Sequence, residues 1–246
     1  MATNELRQTL KRLRLSGLLA TLGDRVAYAK GVKLSYVEFL ELILQDEVHR
    51  REQNSMNKRM KYASLDSDQT LERFDWDAKV TIDRDTLKEL FSLEFIDRRE
   101  NVIFCGPVGV GKTFLANAIA HSACRRGKKV LLSRAHKIFK TLLQSRADNS
   151  FEKELIKYIG PDLLVIDDFG LQRLTHQEAN DFYEIVVERY GRASTIITSN
   201  RHVDEWEALF DDPILANSAL DRLAHNAYQL IIEGESYRNK FHRPGL

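Results

Sequence analysis

The sequence predicts an α/β fold in which helices cover both faces of a parallel sheet, preceded by a small N-terminal helical domain. From about residue 80, short continuous apolar runs alternate with segments of helical periodicity, a pattern typical of parallel strands buried between helices. Before that point, residues 4–63 contain no proline and their apolar side chains recur three or four positions apart, which favours helices. We therefore expect an αβα sandwich and a helical bundle.

The N-terminal segment is predicted to contain two or three helices in a small bundle. Leu6, Leu10 and Leu13 follow helical spacing, and a second periodic run starts at Val37. Gly23 and the stretch KGVKLS interrupt the pattern between these runs. Each helix has one apolar stripe, so the stripes are expected to pack against one another.

The charges are unevenly distributed along the chain. Residues 1–61 carry twelve Lys or Arg against seven Asp or Glu, whereas residues 64–77 carry five acids and one Arg. The basic excess indicates either contact with nucleic acid or an ordinary solvated surface. The predicted domains are a partner- or DNA-binding helical domain at 1–63, a linker at 64–79 and a main domain at 80–246.

The main domain is predicted to have five strands separated by helices. The apolar runs, in chain order, are NVIFC, KVLLS, LLVID, STIITS and YQLIIE. Helical patterns run from Lys112 to about Arg126, from about Ala135, from about His176 and around 214–224. Because a helix separates consecutive strands, the strands are expected to run parallel.

The composition indicates a soluble globular protein. The chain has 246 residues, of which 43% are hydrophobic and 30% charged. It contains no run of 18 apolar residues and its first 22 residues do not resemble a secretory signal. Cys105 and Cys124 show no metal-ligand spacing, so we expect two packed, reduced thiols. These observations predict a cytoplasmic protein that does not enter a membrane.

The stretch GPVGVGKT follows the first strand of the main domain and opens a helix. In that context it predicts a phosphate-binding loop, because glycines let successive N–H groups point into one concavity at a helix N-terminus. The expected ligands are ATP and Mg²⁺, with Lys112 on the β- and γ-phosphates and the Thr113 hydroxyl on the metal. The nucleotide-binding residues are predicted to be Gly106, Pro107, Val108, Gly109, Val110, Gly111, Lys112, Thr113 and Phe114.

Polar side chains lie at the carboxyl ends of the third and fourth predicted strands of the main domain. The run LLVI leads into Asp167 and Asp168, and STIITS leads into Asn200. Since the carboxyl ends of parallel strands share one edge of the sheet, we expect these residues beside the loop. Asp167 would hold Mg²⁺, Asp168 would orient or deprotonate the attacking water, and Asn200 would contact the γ-phosphate and the water. The alternatives are acids that cap a strand and an asparagine in a turn.

Five motifs in order carry a resemblance to a known family. GPVGVGKT (Walker A), LLVIDD (Walker B), TSN (sensor 1), ALDRL and GESYR together resemble the AAA+ ATPases of the IstB/DnaC type. These are the transposition helpers of insertion sequences and the bacterial helicase loaders. The stretches LKRLRLSGLLATL and RENVIFCGPVGVGKT look more like the IstB type. The similarity extends from about residue 5 to 240 and implies an AAA+ P-loop core with a truncated helical lid.

The resemblance implies roles for two arginines. Arg222 matches the arginine finger, which would reach the γ-phosphate held by a neighbouring subunit. Arg238 matches sensor 2, which contacts nucleotide near the γ-phosphate. For both, a surface or salt-bridged arginine is the alternative. One departure concerns Asp168, since many members of the family carry Glu there, and a shorter carboxylate would place the water less well.

The resemblance also implies partners. Family proteins form homo-oligomers on binding nucleotide and bind duplex DNA, and the IstB type assists a cognate transposase. In the related initiator group a helix after the second strand faces the central channel. Here that region offers Arg134, Lys137 and Lys140 as DNA contacts, or as residues of an ordinary solvated helix.

Three functions remain open at this point. The first is an ATPase that assembles on duplex DNA with ATP and helps a transposase to select its target. The second is a loader of a replicative helicase, which would share the ATPase core and differ in the partner of residues 1–75. The third is a small-molecule phosphotransferase on a P-loop fold, for which the sequence offers neither a substrate pocket nor a closing lid.

Overall fold

The computed structural model describes residues 4–76 and 80–237. By internal packing the chain divides into two compact units, Met1–Lys58 and Arg59–Leu246. Arg238, predicted from the resemblance to contact nucleotide, lies outside the described residues. The division into domains at residues 63 and 79 stays a prediction.

From residue 4 onward, the N-terminal unit is built from three helices. Its small core consists of Leu10, Leu18, Leu22 and Ile43. The second helix continues through Gly23, where the sequence predicted an interruption, since one glycine costs a helix only about 1 kcal/mol. The helices are α1 (Asn4–Arg12), α2 (Ser16–Val32) and α3 (Tyr36–Ala63), the last of which runs on into the second unit.

Helices α2 and α3 touch at Gly17. A Cβ atom at this position would lie 2.8 Å from Glu47 Oε2 and 3.0 Å from the carbonyl oxygen of Asp46. The Glu47 carboxylate accepts hydrogen bonds from the N–H groups of Gly17 (2.6 Å) and Leu18 (3.3 Å). Glu47 therefore caps the N-terminus of α2, and a glycine is needed for the close approach.

A five-stranded parallel sheet forms the centre of the second unit. Its strand order is β3-β4-β5-β2-β6, and a separate antiparallel pair joins β1 to β7. All five predicted strands are present. The strands are β1 (Val80–Thr81), β2 (Asn101–Cys105), β3 (Val130–Arg134), β4 (Leu163–Phe169), β5 (Ser194–Ser199), β6 (Ala227–Ile231) and β7 (Glu233–Gly234).

The four predicted helices of the second unit begin close to where the periodicity placed them, and within the described residues the unit has three more, of which two (Arg84–Ser92 and Glu94–Asp97) precede β2. The region after β3 folds as two helices, because Asp148, Asn149 and Ser150 interrupt it and Asn149 has a φ of 58°. Asp148 accepts hydrogen bonds from the N–H and hydroxyl of Ser150. The helices are α4 (Arg84–Ser92), α5 (Glu94–Asp97), α6 (Lys112–Arg125), α7 (Ala135–Ala147), α8 (Phe151–Ile159), α9 (His176–Arg189) and α10 (Pro213–Ala224).

The sheet separates two hydrophobic cores. Alternate residues of each strand point to opposite faces, so Ile103 packs with residues of α7 to α10 while Val102 packs with residues of α4 to α6. Leu164 and Val165 of β4 divide between the two cores in the same way. The three layers are those of the predicted αβα sandwich.

The two cysteines lie in different cores. Cys105 faces the α7–α10 side and Cys124 the α6 side of the sheet, and both are free thiols. Burial raises the pKa of each to about 11, so at neutral pH they are protonated, packed side chains.

Over the ranges 4–76 and 80–237, no helix has the length and apolar character needed to cross a bilayer.

The strand order brings segments together that are distant in sequence. Strand β5 lies between β2, which leads into the glycine loop, and β4, which ends in the two acids. The residues at the carboxyl end of β5 are therefore placed between the loop and the acids.

Candidate functional site

The glycine loop connects β2 to α6. Gly106, Gly109 and Gly111 have φ angles of 145°, 88° and 99°, which residues other than glycine rarely adopt. The loop is also closely packed, because a Cβ on Gly106 would lie 2.0 Å from the carbonyl oxygen of Ile232. Pro107 and Val108 are exposed at its tip.

The N-terminus of α6 opens into this loop without a capping side chain. Gly111 is its N-cap residue and provides no side-chain hydrogen bond. The first N–H groups of a helix have no partner within the helix, and they carry the positive end of the helix dipole. A phosphate group at this point would receive their hydrogen bonds.

Lys112 is directed into the loop. Its side chain is buried at 6% exposure, and Nζ donates to the carbonyl oxygens of Gly106 (2.7 Å) and Pro107 (2.6 Å). The ammonium group therefore lies inside the curve of the loop. In this position it can exchange carbonyl oxygens for phosphate oxygens.

Asp167, near the end of β4, connects that strand to the glycine loop between β2 and α6. The residue is 3% exposed, and its Oδ1 accepts hydrogen bonds from Thr113 Oγ1 (2.8 Å) and Thr198 Oγ1 (2.6 Å). A hydroxyl and a carboxylate in contact beside a phosphate cradle are the oxygen ligands that Mg²⁺ prefers. The structure thus brings together Thr113 and Asp167, the two residues predicted to hold the metal.

Asp168 lies at an irregularity of the sheet. The register between β4 and β5 shifts between Ile166 and Phe169, and Asp168 has a φ of 58°, an uncommon conformation for a residue with a side chain. Its N–H donates to Thr198 Oγ1 (3.0 Å). Its carboxylate is about one-third exposed and lies 3.9 Å from Arg134 Nε. The bulge therefore turns this carboxylate differently from that of Asp167.

Thr198, the first residue of the TSN motif, is a residue of the site to which the sequence analysis assigned no role of its own. It is fully buried in β5 and contacts both acids. Its sequence position indicated such a role, because Thr198 is a polar residue near the carboxyl end of the strand that leads into Asn200. Asn200 is half-buried, and its side chain makes no hydrogen bond with any residue in the described part of the chain.

Arg222 is not brought to the loop of its own chain. It lies on α10, whose buried residues belong to the opposite face of the sheet from α6. Its Nη1 donates to the carbonyl oxygen (2.7 Å) and hydroxyl (2.6 Å) of Ser218, and its guanidinium is 6.0 Å from the Tyr183 ring.

The three predicted DNA contacts occupy one exposed region. Arg134 ends β3, and Lys137 and Lys140 lie on the outer face of α7, whose inner face buries Ile138. Arg134 differs from the two lysines because its side chain faces the carboxylate of Asp168.

The acidic segment before the main domain packs along α6. The Phe74 ring packs against those of Phe114 and Trp76, with distances between ring centroids of 5.7 Å and 4.8 Å. Near the start of the segment, the Asp66 N–H donates to Asn117 Oδ1 (3.2 Å). An aromatic group therefore lies at the first turn of α6, next to the residues that would hold phosphate.

Comparison with known proteins points to one family. A family model described as IstB-like ATP binding protein matches residues 8–244. An ATP-binding protein in an insertion sequence of Mycobacterium tuberculosis is 37% identical over 241 residues, 98% of this chain and 96% of that protein. The insertion sequence IS21 ATP-binding protein of Pseudomonas aeruginosa is 38% identical, with 96% of this chain and 89% of that protein covered.

Solved structures share the fold over more than half of the chain. The DnaC helicase loader superimposes with a TM-score of 0.53 at 24% identity, covering 60% of this chain and 86% of that chain. DnaI superimposes with a TM-score of 0.59 at 21% identity, covering 70% of this chain and 93% of that chain. DnaA of Aquifex aeolicus has a TM-score of 0.53 at 21% identity, covering 68% and 51%. The predicted AAA+ P-loop fold is confirmed.

Proposed function

Because the chain belongs to the family of IstB-like ATP binding proteins, we propose that it is a Mg²⁺-dependent ATPase that self-assembles on duplex DNA and assists the transposase of an insertion sequence. The observation that carries the ATPase proposal is the contact of Thr113 with Asp167 beside an uncapped helix N-terminus. A phosphate cradle alone binds nucleotide, whereas a cradle joined to a buried carboxylate can also hold the metal needed for hydrolysis.

The loop residues would bind and orient the triphosphate. N–H groups of the loop and of the first turn of α6 would contact the phosphates, and Lys112 would leave the carbonyl oxygens of Gly106 and Pro107 to neutralise charge on the β- and γ-phosphates. Mg²⁺, held by Thr113 and Asp167, would stabilise the charge that develops on the transferred phosphoryl group.

Asp168 would orient or deprotonate the attacking water. Its carboxylate is more exposed than that of Asp167 and is turned by the bulge in β4, so it is accessible to a water molecule. Aspartate is one methylene shorter than the glutamate of many AAA+ proteins. The backbone bulge at Asp168 would move its carboxylate and so compensate for the shorter side chain. Asn200 would contact the γ-phosphate and the same water.

The active site would be completed by a neighbouring subunit. Arg222 lies on the α10 side of the sheet and bonds only to Ser218 within the described residues. An arginine in this position would reach the γ-phosphate of another copy rather than its own. Homo-oligomerisation on ATP follows from that requirement, and Arg238 is proposed as a second contact to the nucleotide.

Two exposed basic regions are proposed to contact DNA phosphates. One is formed by Lys137 and Lys140 on α7. The other is the turn between α1 and α2, where the exposed Arg50 donates from Nη1 to Ser16 O (2.8 Å). Contacts of this kind are independent of base sequence and weaken with salt.

The transposase is proposed as the partner over a helicase. The relatives named for insertion sequences align over 98% and 96% of this chain, and thus over its N-terminal unit. The structural similarity to the DnaC helicase loader covers 60% of this chain. A pull-down with each purified partner distinguishes the two, since capture of the helicase alone would favour the loader.

The proposal is tested by ATP hydrolysis and DNA binding in the same preparation. We expect Mg²⁺-dependent release of phosphate, and binding of labelled duplex DNA that requires ATP and weakens steeply with salt. Lys112→Ala should lose ATP affinity and, with it, DNA binding. Absence of hydrolysis would reject the ATPase, and DNA binding indifferent to ATP and salt would reject assembly on DNA. Phosphorylation of a metabolite by the monomer would favour a phosphotransferase.

A further inference from the structure

We propose that Thr198 is a positioning residue that holds the metal-binding and the water-activating carboxylates in one fixed relationship. The inference rests on the proposed ATPase function. It concerns the first residue of the TSN motif, in which Asn200 alone was given a role, since Thr198 lies within β5 and precedes the polar end of that strand.

Thr198 uses its hydroxyl in two directions. Oγ1 donates to Asp167 Oδ1 (2.6 Å) and accepts from the N–H of Asp168 (3.0 Å). A threonine hydroxyl has one proton to donate and lone pairs to accept, so both of these bonds can form at once. One atom therefore sets the side chain of the first acid and the backbone of the second.

The environment makes these bonds difficult to replace. Thr198 and Asp167 are 0% and 3% exposed, so water does not readily take the place of the hydroxyl. Burial of a polar group without its partner is unfavourable. Losing the hydroxyl would therefore leave a carboxylate oxygen with one donor fewer and the N–H of Asp168 without its partner.

The bond to Asp168 also stabilises an unfavourable backbone. Asp168 has a φ of 58° within the register shift between β4 and β5, and a non-glycine residue in that region persists only where its surroundings hold it. Thr198, on the neighbouring strand, supplies one such contact across the shift. Without it, the ladder between β4 and β5 could relax and the carboxylate of Asp168 would turn away from the metal.

The contact with Asp167 selects which oxygen is left for the metal. Oδ1 is occupied by Thr113 and Thr198, and Oδ2 makes no hydrogen bond within residues 4–76 and 80–237. Since the carboxylate is held by two donors on the same oxygen, its other oxygen keeps a constant direction. Thr198 thus orients the ligand without itself touching phosphate.

Thr198→Val is the decisive variant, because valine keeps the shape and strand preference of threonine but removes the hydroxyl. We expect ATP affinity to stay within about twofold of wild type, since the loop is unchanged, and kcat to fall about 10²-fold, the scale of a misplaced catalytic group. Thr198→Ser retains the hydroxyl and should recover most of kcat.

Thr195→Val is the matched control in the same strand. Thr195 is also buried, and its Oγ1 accepts from Arg189 Nε (3.0 Å) at the other end of β5. Its loss should lower the thermal midpoint of unfolding and leave kcat unchanged. Thermal unfolding of all three variants separates loss of stability from loss of positioning.

The outcomes distinguish this inference from the proposed function. If wild-type protein hydrolyses ATP and Thr198→Val does so at the same kcat, or if Thr198→Ser is as slow as Thr198→Val, the positioning role is wrong while the ATPase stands. If folded wild-type protein does not hydrolyse ATP in the presence of Mg²⁺ and DNA, the proposed function fails first.

Discussion

Two arginines show how burial decides the role of the same side chain. Arg189 is 2% exposed and donates to the carbonyl oxygens of Tyr158 and Pro161 and to Thr195. Burial lowers its pKa to about 9, so it remains charged at neutral pH and joins the end of α8 to β5. The hydrogen bonds of Arg222 within the described residues go to its own helix, and such contacts can be exchanged for a phosphate.

We expect Arg222→Ala to bind ATP normally and to hydrolyse it about 10³–10⁵-fold more slowly, as fingers supplied by a neighbouring subunit do elsewhere. The measurement is ATP affinity alongside kcat of the assembled protein. Arg192→Ala is a suitable control, because Arg192 is an exposed arginine just after α9 that pairs with Glu188 in the last turn of that helix.

A mixture of variants tests whether Arg222 acts between subunits. Lys112→Ala retains Arg222, and Arg222→Ala retains an intact loop, so mixed assemblies contain some complete sites. Partial recovery of hydrolysis in the mixture is expected. A wild-type rate for Arg222→Ala, or no recovery on mixing, would contradict the assignment.

Among the elements of the second unit, the glycine loop is joined to the segment that follows β6. The N–H of Tyr237 donates to the carbonyl oxygen of Gly109 (2.9 Å), and the N–H of Ile232 to that of Cys105 (2.8 Å). A Cβ on Gly109 would lie 2.0 Å from Ser236 Oγ and 2.8 Å from its Cβ. Movement of the loop on binding nucleotide would therefore be transmitted to residues 232–237.

Gly109→Ala should weaken ATP binding by displacing this segment and the loop. Gly127→Ala is its matched control, since the two glycines have φ angles of 88° and 87° but a Cβ on Gly127 meets no atom of the described residues within 4 Å. Both variants should lose about 1–2 kcal/mol of stability from the left-handed backbone. Calorimetric titration with ATP distinguishes them, and equal ATP affinity in both would show that the contact with Ser236 is unimportant.

Helix α7 carries the proposed DNA contacts at exposed positions. Lys137→Ala with Lys140→Ala should weaken DNA binding uniformly across sequences and reduce the slope of log affinity against log salt by about 0.9 per lost phosphate contact. Fluorescence anisotropy over a salt series measures both quantities. Kinetics of hydrolysis without DNA should be unaffected.

The control for α7 removes two lysines that are already neutralised. Lys88 and Lys128 pair with Asp85 and Asp97, so Lys88→Ala with Lys128→Ala should leave the slope unchanged. An unaltered slope in the α7 variant would place the DNA contacts on other elements, and the turn between α1 and α2 would then be the next region to test.

Over the full chain, the two units differ in how they are stabilised. The second unit has two large cores on either side of a sheet, whereas four buried side chains form the core of the N-terminal unit among its described residues. Polar contacts between α2 and α3 supplement that small core. Asp46 accepts hydrogen bonds from Thr21 (2.6 Å) and from two nitrogens of Arg25 (2.8 Å each).

This arrangement makes the N-terminal unit sensitive to acid. The hydrogen bonds of Arg25 and Thr21 lower the pKa of Asp46 from 3.8 to about 2. A carboxylate whose pKa is lowered on folding stabilises the folded state. This stabilisation is fully present above the pKa of the unfolded state and is lost as the pH falls through the pKa of the folded state. The contribution of Asp46 should therefore disappear between about pH 4 and pH 2.

Asp46→Asn tests this dependence. We expect it to destabilise the N-terminal unit at pH 7, and the difference from wild type should shrink as the pH falls below about 4. Urea unfolding followed by circular dichroism at several pH values measures the difference. Asp24→Asn, at an exposed position of α2, is the control, and a difference for Asp46→Asn that is constant with pH would exclude the ionised carboxylate as its cause.

Features that depend on local pattern could be predicted from the residues alone. Gly106 to Thr113 adopt the predicted loop because glycine spacing acts within eight residues, and the five strands follow from continuous apolar runs. Even the parallel direction of the strands could be derived, since helices separate consecutive strands. The break at Asn149 was missed because its turn residues lie inside a region of otherwise helical pattern.

Which of these elements are neighbours became clear only from the folded chain. The order β3-β4-β5-β2-β6 inserts β5 between the loop strand and the acid strand, which gives Thr198 its contact with Asp167 and Asp168. The same sheet places Arg134 opposite Asp167 in the ladder, next to the carboxylate of Asp168. Strand order arises from non-local packing and hydrogen bonding across the sheet, and no short stretch of sequence specifies such contacts.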